Sequence, residues 1–148
     1  MKLTNLIFAA SALLLLACNK PADEPLVPEE ANYVGTVTVI YQDAPFDNED
    51  IEVNFTPAQD GKTGSLTIYK IRFVPQMPVT IDVTIPDINV TSTTEQINLS
   101  CTNVIPLAMG GEFPRYTVTD LQGSIVGKEI SFSLNFGTVP TSYRGSVK

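Results

Sequence analysis

The 148-residue chain is predicted to be all-β, an antiparallel up-and-down barrel of about eight strands, with a two-sheet sandwich as the alternative. Three observations lead there. From Asn32 onward, apolar residues recur with a period of two rather than 3.6. That region shows no amphipathic helical run. Its runs are separated by short clusters of turn residues, and short connections imply antiparallel neighbours, because a parallel pair needs a long crossover.

Taken in order, the first strand covers 32–41, with Tyr33, Val37, Val39 and Tyr41 on the face of Gly35. Asp43–Asp50 is dense in acids and contains Pro45, so it reads as a hairpin loop. The second strand, 50–57, alternates Ile51, Val53 and Phe55 with polar residues, and Asp60-Gly61-Lys62-Thr63-Gly64 supplies turn chemistry. In the third, 64–74, Leu66 and Ile68 lie in one phase and Ile71 and Phe73 in the other; that slip near Tyr69 predicts a bulge or a strand covered on both faces. The fourth, 78–90, alternates from Val79 to Ile85, is interrupted by Pro86, and resumes at Ile88 and Val90 after a bend. Thr91–Thr94 is a turn. The fifth, 95–105, places Ile97, Leu99 and Cys101 in phase. Residues 106–114 contain Pro106, Gly110, Gly111 and Pro114 and read as a wide loop over one end. The sixth, 115–126, shifts phase between Val118 and Leu121. A tight hairpin at Val126–Glu129 leads to the seventh, 129–137, where Ile130, Phe132, Leu134 and Phe136 alternate most cleanly. Gly137–Pro140 turns into the eighth, 142–148, which is left to pair with the first and close the barrel.

Composition narrows the chemistry. Hydrophobic residues make up 43%, enough for one domain core, and the net charge of −7 argues against nucleic acid, which needs clustered Lys and Arg. There is no His, hence no Ser-His-Asp or Cys-His arrangement and no zinc site of the usual kind. No phosphate loop or dinucleotide fingerprint is found. The acids from Asp43 to Glu52 lie along one stretch rather than facing each other, so neither a glycosidase pair nor an EF-hand is spelled out. The expectation is no enzyme, no catalytic residue, no cofactor and no metal. Cys101, on the apolar phase and without a basic neighbour in sequence, reads as a buried small hydrophobe.

The N-terminus reads as a secretory signal over 1–17: basic Lys2, an apolar run from Leu6 to Leu16, then small Ala17. The run is too short to span a bilayer, which takes about 20 residues. Leu15, Ala17 and Cys18 resemble the bacterial lipobox, with Leu16 bulkier than usual. That resemblance implies cleavage before Cys18, a diacylglyceryl group on its sulfur and an acyl chain on its amine. Each buried methylene contributes about 0.8 kcal/mol, so several chains anchor where one would not. Residues 18–31, acidic and rich in proline, read as a tether of roughly 40 Å at about 3.1 Å per residue. Asn19 in place of Asp implies the outer membrane by the same resemblance. Asp23 and Glu24 resemble surface-export acids, and the membrane face stays open.

Over 32–148 the chain resembles calycin-like β-barrel lipoproteins of Gram-negative bacteria. The resemblance is carried by Tyr33-Val34-Gly35-Thr36-Val37, by Leu121-Gln122-Gly123-Ser124-Ile125-Val126-Gly127 with Ile130–Leu134, and by Tyr143-Arg144-Gly145-Ser146, which echoes the opening. It implies a barrel without an established activity. The lipocalin Gly-x-Trp signature is missing, since Thr36 and Val37 follow Gly35, so lipocalin ligand chemistry does not carry over.

Two functions fit. The first is a membrane-anchored binding module taking a small, largely apolar ligand in its interior or at a mouth, with Phe46, Phe55, Tyr69, Phe113 and Phe132 as lining candidates. The second is a structural or accessory lipoprotein contacting another envelope protein through its loops. A hollow of about 300 Å³ or more supports the first, and a solid interior the second.

Overall fold

The computed structural model describes residues 24–148, so the signal segment and Cys18 lie outside the described residues. Ten strands form one antiparallel sheet: β1 (Ala31–Tyr41), β2 (Ala44–Pro57), β3 (Thr63–Ile71), β4 (Ile81–Ser92), β5 (Ile97–Cys101), β6 (Leu107–Ala108), β7 (Gly111–Glu112), β8 (Val118–Val126), β9 (Glu129–Phe136) and β10 (Val139–Val147). The order β3-β2-β1-β10-β9-β8-β5-β4 closes on itself through β3–β4, giving an eight-stranded up-and-down barrel. The short β6–β7 hairpin is appended to β4. No α-helix occurs among the described residues; Pro114–Tyr116 forms one 3-10 turn. The barrel is compatible with a calycin-like fold, and the sandwich alternative is set aside.

Each phase slip in the sequence is a register shift in the sheet. Shifts fall between Ile68 and Ile71 in β3, between Thr119 and Gln122 in β8, and opposite Gly64–Leu66 in β4. The extra residues Lys70, Asp120 and Asp87 all have positive φ. A bulge adds one residue to one strand, and a left-handed conformation accommodates it; Asp tolerates that conformation better than most. The Lys70 amide donates to Asp82 Oδ1 at 2.9 Å, fixing the β3 bulge to its neighbour.

The acidic stretch 43–50 is corrected from loop to strand. Only Gln42 and Asp43 turn, both with positive φ, and Ala44 already pairs with Tyr41. Phe46 and Asn48 point inward while Asp47 and Glu49 point to water. Asn48 hid this alternation because it is polar yet buried. Its amide donates to the Arg72 carbonyl at 3.1 Å and its carbonyl accepts from the Arg72 N–H at 2.9 Å. Val79 is likewise corrected: it precedes β4 and is 62% exposed, because the chain leaves the sheet after Ile71 through a connection containing Pro75 and Pro78. Residues 102–106 and 113–117 also lie outside the strands, apart from one antiparallel bridge between Val104 and Val118, so β5 ends at Cys101 and β8 begins at Val118. β10 starts earlier than expected, at Val139.

The closing seam explains the echoed motif. Gly35 and Gly145 are register partners across β1–β10. A Cβ on Gly35 would run into the Arg144 carbonyl, and one on Gly145 into the Tyr143 hydroxyl. The missing side chains leave room for the Tyr143 ring, which donates from its hydroxyl to the Ile51 carbonyl at 3.0 Å, from β10 across to β2. Burial first, and then the Glu52 carboxylate, push the Tyr143 phenol well above its ordinary pKa. Gly123 similarly faces Phe132, whose ring lies 5.3 Å from that of Tyr143.

Candidate functional site

Two ends of the barrel differ. The entry end carries Ala31, Val147 and the turns at 58–62, 93–96 and 127–128. The far end carries the tight turns at 42–43 and 137–138 and the two long connections, 72–80 and 102–117.

The far end is built by a segment whose prolines and glycines prevent it from continuing β5. Leu107 and Ala108 pair with Thr84 and Val83 of β4, and Met109-Gly110, both with positive φ, turn the chain back into Gly111 and Glu112. The Phe113 amide donates to the Pro106 carbonyl at 2.9 Å, closing the hairpin. An aromatic column then seals the end. Phe113 stacks on Tyr116 with centroids 5.1 Å apart, Tyr116 on Phe73 at 4.5 Å, and Phe73 meets Phe136 edge-on at 5.2 Å. The Arg115 guanidinium lies 5.7 Å from the Tyr116 ring centroid, within cation–π range.

Beside this cap a groove of about 890 Å³ runs between Lys70, Thr80–Asp82 and Thr84 on one wall and Leu107–Gly111 on the other. Met109 is 70% exposed and Leu107 41%; Ile105 nearby is also exposed. Apolar side chains of this size left in water on a loop mark a contact surface more often than isolated exposed ones do.

The interior offers no comparable room. Phe55, Leu66, Ile68, Ile85, Leu121 and Phe136 are wholly buried in one cluster spanning the barrel. Along the seam the strands approach closely: a methyl group at Gly35 or Gly123 meets the neighbouring strand, and one at Gly145 the Tyr143 hydroxyl. Barrels of this strand number fill with side chains or hold one small ligand, and this one is filled.

The five residues proposed to line a ligand site are not brought together. Phe55 and Phe132 are core side chains. Tyr69 sits on the outside at the β3 bulge, 36% exposed. Phe46 and Phe113 both lie at the far end, half-buried against the core. The sequence points to a mouth lined by Phe46, Phe113 and the 106–114 loop, which holds Leu107 and Met109, and these do share the far end; the residues it does not assign there are Phe73 and Tyr116.

Protein-family models, curated proteins and solved structures give no match to this chain. The functional reading therefore rests on the geometry.

Burial pushes the Cys101 thiol up to about 11, so at neutral pH it is a protonated, packed group rather than a nucleophile. The Asp60 carboxyl is held below its usual range, chiefly by the Lys62 amide, as part of the β2–β3 turn. Among the described residues, every buried side-chain polar atom has a hydrogen-bond partner, and no three Asp, Glu or Cys side chains converge on a metal position. The acids of β2 are exposed on either side of a bulge at Asp50, which has positive φ, with Asp47 accepting from Thr38 at 2.7 Å and Glu52 paired with Lys148 at 3.1 Å.

Proposed function

We propose that the chain is a membrane-anchored, non-enzymatic lipoprotein of the Gram-negative envelope. It is held in the outer membrane through acylated Cys18 and contacts another envelope protein through its far-end loops. The calycin-like lipoprotein resemblance and the Leu15–Cys18 pattern support the anchoring. The packed interior supports the choice of function: Phe55, Leu66, Ile68, Ile85, Leu121 and Phe136 are wholly buried in one cluster across the barrel, and the far-end hairpin leaves Leu107 and Met109 exposed, as the entry end does Val27 and Val126. The groove beside that hairpin favours a second reading, capture of a small apolar molecule at the mouth, since it is open and partly apolar.

Photo-crosslinking in cells separates the two. A photoreactive residue at Met109 is expected to join the chain to one discrete protein, whereas the same residue at Lys62, on the entry end, is expected to give none. No adduct at Met109, together with a co-purified apolar molecule in native mass spectrometry of C18S, turns the conclusion to capture. Replacing Cys18 by Ser is expected to move the protein out of the membrane fraction, and continued sedimentation with membranes contradicts the anchor.

A further inference from the structure

We infer that the barrel stands with its entry end toward the lipid and its far end held away, because the tether is too short to let it invert; this rests on the Cys18 anchoring proposed above. The acidic, proline-rich segment before β1 is not free along its whole length. The Leu26 amide donates to the Thr93 carbonyl in the β4–β5 turn at 2.9 Å. Residues 24–28 form one wall of a groove whose other walls are Asp60–Lys62 and Asn89–Ser92, all at the entry end. Further on, Asn54 donates to Glu30 at 3.4 Å. The chain is therefore held at Leu26, five residues before the sheet begins at Ala31.

Magnitudes decide what that allows. Seven residues lie between Cys18 and Leu26. Extended at about 3.1 Å per residue, that stretch reaches ~25 Å. β1 has 11 residues. At about 3.3 Å per residue and a tilt near 40°, the barrel wall stands ~28 Å tall. The far-end connections 72–80 and 102–117 add to that height. An inverted barrel needs a tether that spans the wall and the far-end connections together, and even fully extended, at about 3.6 Å per residue, this one only equals the wall. Charge does not hold the entry end down, since Glu24, Glu29, Glu30, Asp60 and Glu95 outnumber Lys62, Lys128 and Lys148 there. The restraint is the length of chain outside the Leu26–Thr93 backbone hydrogen bond, an uncharged contact, so it is insensitive to salt and lasts while that contact is made.

The chain has no Trp, so K128W in the β8–β9 turn and M109W in the β6–β7 turn each give a single reporter. Full-length lipidated protein is reconstituted in phosphatidylethanolamine–phosphatidylglycerol vesicles carrying dansyl headgroups. Energy transfer from K128W is expected to be about threefold more efficient than from M109W, and unchanged in high salt. Equal transfer from both, in protein that still floats with the vesicles, overturns the orientation and leaves the anchor standing. Protein that fails to float overturns the anchor, and the orientation with it. A Gly-Ser insert after Lys20 that doubles the free tether is expected to bring the two efficiencies together, within a factor of ~1.5. A persisting threefold difference shows that something other than tether length fixes the barrel, and overturns the inference.

Discussion

The wall formed by β8, β9, β10 and β1 and the wall formed by β3, β4 and β5 are made of similar residues but are built differently. The first is joined by two-residue turns at 127–128 and 137–138 and is drawn tight by Gly35, Gly123 and Gly145 under the Tyr143 and Phe132 rings. The second carries two bulges, at Lys70 and Asp87, against one at Asp120 in the first, and is left through the long connections 72–80 and 102–117. In the first, nearly every position answers to packing. In the second, the appended hairpin leaves Leu107 and Met109 exposed, although Leu107 is paired with Thr84 of β4.

The largest expected effect is at an aromatic contact between the two regions. Phe136 is wholly buried and stacks edge-on with Phe73. Phe136→Ala is expected to cost about 4 kcal/mol in denaturant unfolding of C18S, through lost burial and the cavity left behind. Gly35→Ala is expected to cost about 3 kcal/mol by overpacking the closing seam, whereas Gly111→Ala, where a Cβ meets nothing, is expected to stay within about 0.5 kcal/mol. Equal effects at the two glycines break the comparison. At the β8 bulge, Asp120→Val is expected to cost about 1.5 kcal/mol, because a β-branched residue resists positive φ. The smallest effect at neutral pH is at Cys101. Its folded pKa is raised from 9.0 to about 11, so the buried neutral thiol favours the folded state fully below pH 9, and that contribution is lost as pH rises from 9 through 11. A pH series of unfolding midpoints for C18S and C18S/C101A is expected to converge over that window, and parallel curves count against burial as the cause.

Much of the barrel was legible in the residues. The slips at Tyr69, Pro86 and Val118–Leu121 show in sequence as changes of apolar phase, because a bulge moves every later side chain to the other face. The first half of β2 was not legible. Its inward residue Asn48 is polar and is satisfied only by the Arg72 backbone, a contact made 24 residues away. Phe55 and Phe132 read equally well as core or as pocket, because apolar alternation reports which face is buried and not whether a cavity lies behind it. The far-end hairpin was hidden for the opposite reason: β6 and β7 are too short to show a period, and they exist because β4 offers them an edge.

The central claim, that the barrel interior is packed solid, is tested most directly by methyl NMR of C18S titrated with a saturating apolar probe such as decanoate. The core methyl signals of Val37, Leu66 and Leu99 are expected to stay in place, with any change confined to Leu107 and Met109. Shifts at Val37, Leu66 and Leu99 in a chain that remains folded show a ligand inside the barrel and contradict the account.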